Sequence, residues 1–163
     1  MDLKEKALKE KLLKSISKTR LKTISNIINR KNKKMSIRLI EWFVSSYSKR
    51  HKTKYELNGA EFNVYKSYKD EQLCSFNKKL FDMYKRTTTF TINLDDGTQF
   101  DTTVAQLNFF YWAIKHKVVN YVENNLQDIK NDLSKNSQLK KTKKKNFYDD
   151  TLVSNIKIIL SFA

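Results

Sequence analysis

Proline is absent from this chain, and only Gly59 and Gly97 are glycine. A phosphate loop needs two glycines five apart followed by lysine, and a dinucleotide fingerprint needs three, so neither motif can be built. Cys74 is the single cysteine, which rules out an internal disulfide. With His51 and His116 as the two histidines, no Cys/His zinc site can be assembled either. No run reaches 18 consecutive apolar residues, and the start Met1-Asp2-Leu3-Lys4-Glu5-Lys6 lacks the apolar core of a signal peptide. The expectation is a soluble, intracellular chain in a reducing compartment.

Catalytic groupings are equally scarce. The acidic pairs are Asp95-Asp96, where a hairpin turn wants Asp, and Asp149-Asp150, read as the cap of a final helix. His116 lies between Lys115 and Lys117, which favours its neutral form, and His51 lies between Arg50 and Lys52. Both read as exposed polar residues, and Cys74 reads as a small core filler. The chain is therefore expected to be non-enzymatic, without cofactor, metal or small-molecule substrate.

What is present in excess is positive charge: 33 Lys and Arg against 17 Asp and Glu, a net +16 and a pI near 9.8. Such a field favours polyanions, whether nucleic acid, an anionic membrane surface or an acidic protein. The basic residues are nearly all lysine, with Arg20, Arg30, Arg38, Arg50 and Arg86 the exceptions. Together with abundant Asn and Ile, this is also the composition that AT-rich coding produces. Both origins of the charge remain open at this point.

Periodicity predicts a mostly α protein of about five helices with one β-hairpin near residues 88–102, an α+β class. Leu12 to Ile28 forms an amphipathic stripe, so residues 1–30 read as an N-terminal helix or arm with a fraying start. Residues 35–135 read as the core domain. Within it, a second helix is capped by Ser36, His51–Phe62 reads as a polar loop, and a third helix runs from Val64 to Tyr84. Thr88–Asn93, Asp95-Asp96-Gly97 and Thr98–Thr102 make the hairpin. Thr103 and Gln106 form a capping box for Leu107–Ile114, apolar nearly all round and the expected centre of the core. Residues 136–146 read as a Lys-rich mobile loop and 147–163 as an apolar C-terminal segment. Helix, helix, helix, hairpin also suggests a winged helix, but the long loop before helix three and the apolar helix after the hairpin argue against it.

Three candidate contact sets for nucleic acid follow. The first is the basic side of helix three, Lys66, Lys78, Lys79, Lys85 and Arg86, interleaved with Tyr65, Tyr68, Phe76, Phe81 and Tyr84, whose spacing is that of a core stripe. The second is the run Lys140, Lys141, Lys143, Lys144 and Lys145. The third is Arg38, Trp42 and Lys49, for which the bland reading is a half-buried indole with Arg38 stacked over it.

Three segments carry a family resemblance: Met35 to Val44 continuing through Tyr47-Ser48-Lys49, Phe62 to Lys69 continuing through Phe81-Asp82, and Thr103 with Gln106 to Phe110 and Trp112-Ala113-Ile114. Over roughly residues 35–122 the chain resembles a family of small uncharacterised basic proteins of nucleocytoplasmic large DNA viruses. That family tends to carry Pro and Cys after the Phe-Asp pair, where Met83 and Lys85 stand here, so no shared thiol role carries over. The resemblance implies a viral protein made in the host cytoplasm, at the viral factory, and packaged in the virion; it implies no activity.

The functional expectation is a basic viral protein that binds nucleic acid, DNA before RNA, through phosphate contacts. The competing expectation is a structural virion component such as a minor capsid protein, its termini self-associating or threading between neighbours against an acidic shell protein or membrane surface.

Overall fold

The computed structural model describes residues 1–72, 78–84 and 88–161, with side chains described through Lys144. It divides into two units, Met1–Ile129 and Lys130–Ala163. The mostly helical α+β class holds, but with two hairpins rather than one.

The N-terminal stripe is two helices. In α1 (Leu3–Ser15) Asp2 caps by accepting from Glu5 N at 2.8 Å, and Leu8 and Leu12 are buried. Ile16 turns extended, and Ser17 opens α2 (Lys18–Ile28), where Ile24 and Ile27 face inward. A serine that can satisfy an orphan N–H at a new N-terminus competes with helix continuation. That is why one stripe became two helices, and why residues 3–15 are an integral part of the first unit rather than a fraying arm.

Ser36 caps α3 (Ile37–Trp42) as expected, and the helix continues through a π-turn (Phe43–Tyr47) into α4 (Ser48–Arg50). The π-turn sits where Phe43 and Val44 are completely buried. Residues expected as a loop then form a hairpin, β1 (Lys54–Leu57) and β2 (Ala60–Asn63). Its two-residue turn is Asn58-Gly59, both at positive φ, the pairing a twisted two-residue hairpin requires. Two strands cannot stand alone in water. This pair is anchored by Tyr55, which stacks on Tyr121 and donates its hydroxyl to the His116 carbonyl at 2.6 Å.

An unbroken α-helix from Val64 to Tyr84 is not formed, because Lys78–Leu80 is a 3-10 turn and Phe81 to Tyr84 are not helical. α5 (Val64–Asp70) is short, Lys78–Leu80 is a 3-10 turn, and between and after them Cys74, Phe76, Lys85 and Arg86 lie outside the described residues. The winged-helix topology goes with it. The aromatic stripe splits as its chemistry allows: Tyr68 and Phe81 are core, Tyr65 is half-buried and Tyr84 is 55% exposed.

β3 (Phe90–Asn93) and β4 (Gln99–Thr102) make the expected hairpin, with Gly97 at positive φ in the turn. It is fastened to α2 by Lys18–Asp95 and Lys22–Asp96 ion pairs and by Asn29 Nδ2 donating to the Gln99 carbonyl. The Asp95 partner raises the Lys18 ammonium, and hydrogen bonds from Lys22 and Thr98 hold the Asp96 carboxyl well below the usual range.

Thr103 caps α6 (Val104–Lys115), which buries eight side chains and is the centre of the core. Phe109 and Trp112 pack with Tyr68 and Phe81 in one ring cluster. Lys117, left-handed, leads into α7 (Val118–Asn124). His116 is a correction: it is half-buried, stacked on Phe62 at 4.9 Å, with Nδ1–H donating to the Trp112 carbonyl. Finally α8 (Leu126–Ser161) carries residues 136–146 as helix where a loop was expected, and Asp149-Asp150 lie inside it rather than at its cap.

Candidate nucleic-acid interface

The charge is unevenly placed. Residues 1–50 hold 15 basic and 4 acidic residues, residues 51–129 hold 10 and 10, and residues 130–163 hold 8 and 3. The middle segment, which supplies both hairpins and α6, is electroneutral.

The first predicted set falls in that neutral segment. Lys66 lines a cleft of about 530 Å³ together with Lys54, Glu61, Asp70 and Glu71, so carboxylates outnumber cations around it. Lys54 already pairs with Glu61 at 2.9 Å. Lys78 and Lys79 are exposed on the 3-10 turn, and Lys85 and Arg86 lie outside the described residues. Among the described residues, Lys66 on α5 and Lys78 and Lys79 on the 3-10 turn do not share one α-helical face.

The second set lies on α8. Lys140, Lys141, Lys143 and Lys144 are exposed on the helix, and the Lys145 side chain is outside the described ones. At about 100° per residue these positions spread around the helix rather than lining one edge.

The third set is partnered differently from its helical spacing. Arg38 and Lys49 are exposed, Trp42 is half-buried, and the cation over the indole is Arg50 rather than Arg38, at 5.5 Å. Lys49 turns instead to Tyr65, an α5 residue, at 5.5 Å.

The strongest basic feature reads, on periodicity alone, as a simple break between helices. Arg30-Lys31-Asn32-Lys33-Lys34 is a hydrogen-bonded loop whose four cations are exposed. Asn32 N donates to the Asn26 carbonyl, Asn32 Oδ1 accepts from Lys34 N, and Met35, 3% exposed, anchors the exit. Behind the loop lies a cleft of about 620 Å³ lined by Lys31, Lys33 and Lys34 with Thr23, Asn26 and one carboxylate, Glu123. Among the described residues none of the four cations forms a side-chain ion pair. Arg30 sits at φ 55, a left-handed conformation that costs a non-glycine residue about 1 kcal/mol or more. The distribution of charge along the chain points to this loop; helical periodicity does not register it.

Among the described residues no group of three or more His, Cys, Asp and Glu converges to hold a metal ion. No described helix is long and apolar enough to cross a membrane.

The fold and basic surfaces define a helical α+β protein with no described metal cluster. It belongs to a family of unknown function (DUF7197), whose model matches residues 1–158. It is 34% identical over 148 residues to the uncharacterized protein L507 of Acanthamoeba polyphaga mimivirus, a large DNA virus; the match covers 85% of this chain and 56% of that protein. The chain thus spans little more than half the length of that relative. No solved structure matches. The expected kinship with an uncharacterised viral family is therefore met, over a longer stretch than the three motif segments covered.

Proposed function

We propose that this protein is a non-enzymatic nucleic-acid-binding protein that grips the phosphate backbone through residues 1–50, chiefly Arg30, Lys31, Lys33 and Lys34. The observation that carries this reading is the loop itself: four exposed cations without ion pairs among the described residues, on a hydrogen-bonded frame, with Lys31, Lys33 and Lys34 lining a cleft. Lysine drift from AT-rich coding would scatter charge over all solvated surfaces. The uneven distribution favours placement instead, since the 79-residue neighbour 51–129 carries 9 lysines of its own and still balances to zero. Such a protein works where the viral genome is handled, in the host cytoplasm.

Phosphate binding by lysines releases condensed counterions, so log affinity falls linearly with log salt. Labelled duplex DNA titrated by fluorescence anisotropy should be retained at about 50 mM salt and lost steeply by about 200 mM. Absence of binding at low salt refutes the reading. Binding to anionic vesicles but not to DNA would replace it with a membrane-surface role.

A further inference from the structure

Two half-buried rings, Trp42 on α3 and Tyr65 on α5, are flanked by cations. Arg50 lies 5.5 Å from the Trp42 indole, and Tyr65 has Lys49 Nζ at 5.5 Å and Lys69 Nζ at 5.7 Å. Lys49 and Arg50 are chain neighbours, their Cα atoms about 3.8 Å apart, so one turn of helix serves both rings. Arg38 stands one turn before Trp42, and its charge and that of Glu41 both act on the exposed Tyr84.

Tyr65 differs from the rings of the core. Tyr68, Phe81, Phe109 and Trp112 satisfy one another ring against ring. Tyr65 and Tyr84 join no ring pair among the described residues, and Tyr65 meets ammonium groups instead. We infer that Trp42 and Tyr65 form a stacking platform for the bases of single-stranded nucleic acid, with Arg38, Lys49, Arg50 and Lys69 neutralising its phosphates.

The physical reason lies in what each form of nucleic acid can offer. Bases in a duplex already stack on each other, whereas a single strand can give each base's π-face to an aromatic side chain. The cations now over the rings follow the phosphates as bases take their place, exchanging one electrostatic partner for a stronger one. Glu41 and Asp82 repel phosphates beside Tyr84, so the strand's backbone passes on the Lys49 and Lys69 side. No sequence preference is expected, because every base has a π-face. The inference rests on the nucleic-acid reading above and adds strandedness to it.

The intact protein carries its own reporter. Trp42 and Trp112 are the two indoles, and Trp112 is 3% exposed, so fluorescence quenching on binding reads Trp42. Oligothymidine should quench the wild-type protein and bind more tightly than duplex DNA of equal length. Oligouridine run alongside tells a DNA strand from an RNA strand. Tyr65→Ala should weaken single-strand binding on the order of tenfold and duplex binding less than about twofold, with Tyr65→Phe restoring both. Equal affinity for strand and duplex with no quenching overturns the platform while leaving the nucleic-acid reading intact. Failure to bind either form overturns both.

Discussion

Residues 1–50 and residues 51–129 belong to one folded unit yet are built on opposite electrostatic plans. The first carries 15 basic against 4 acidic residues and the second 10 against 10. Both contribute buried apolar side chains, Ile24, Ile27, Ile40 and Phe43 from one and Phe81, Phe109, Phe110 and Val122 from the other. Stability therefore does not distinguish the two regions, but the availability of charge does. In the neutral region Lys54 meets Glu61, and Asp95 and Asp96 take Lys18 and Lys22 from the basic region; the loop at Arg30 to Lys34 leaves its cations facing water. A protein that needed only solubility would have no reason to keep such a loop on a fixed frame.

The largest expected effect lies in the neutral region. Phe110→Ala, at a fully buried α6 position, should cost about 4 kcal/mol of unfolding free energy by urea denaturation. A cost under about 1 kcal/mol would mean that α6 is not the centre of the core.

Next come the left-handed residues. With both glycines used in hairpin turns, three cationic residues take positive φ near helix ends: Arg30, Lys52 and Lys117. Lys52→Gly and Lys117→Gly should each stabilise by about 1 kcal/mol, because glycine adopts this conformation without the Cβ penalty. If Arg30→Gly also stabilises but weakens DNA binding, the strain at Arg30 serves the interface. If it stabilises and leaves binding unchanged, Arg30 is a cap like the other two.

A smaller effect is pH-dependent. Burial against Phe62 and Trp112 lowers the His116 imidazole from its ordinary value, with Lys115 adding to the shift and the Trp112 hydrogen bond and Glu71 opposing it. The unfolded chain then takes up this proton at higher pH than the folded one. The stability from neutral His116 is complete above about pH 6.5 and is lost as pH falls through the folded value. Thermal melts from about pH 7 to pH 5 should show a falling Tm, and the slope should flatten in His116→Gln.

The smallest effect on stability joins the two regions. Asp95→Asn with Asp96→Asn removes the exposed pairs with Lys18 and Lys22, and exposed pairs contribute little. Melting should barely move, while duplex DNA affinity at low salt should rise because two cations of the basic region are released. Unchanged or lower affinity would indicate that α2 lies away from the DNA.

Much of this fold could be read from the sequence, for identifiable reasons. The Ser36 and Thr103 caps, the apolar α6 and the Asp96-Gly97 turn are local signals, each written in a few adjacent residues. The Asn58-Gly59 turn was as local and as legible, but a polar surrounding disguised it as a loop. The break at Ser17 depends on which stripe the tertiary core accepts, which periodicity cannot decide. For the candidate site, helical spacing marks Trp42 as an indole beside cations, but the cation over it is Arg50 rather than Arg38. Tyr65 meets Lys49 through packing of α5 against an earlier helix, and Arg50 reaches Trp42 along the same helical run, eight residues on. Lys66 stands on α5 and Lys78 and Lys79 on a 3-10 turn, so the described positions of that set do not share one α-helix.

The placement of charge, not its total, is what should determine binding. Two variants with equal net charge test this: Lys31→Gln, Lys33→Gln, Lys34→Gln against Lys66→Gln, Lys78→Gln, Lys79→Gln, each titrated with duplex DNA over a range of salt. The first should lower the slope of log affinity against log salt by about 3, one for each lysine–phosphate pairing removed, and the second should leave it unchanged. Equal reductions in the two variants, or a reduction only in the second, would contradict the account.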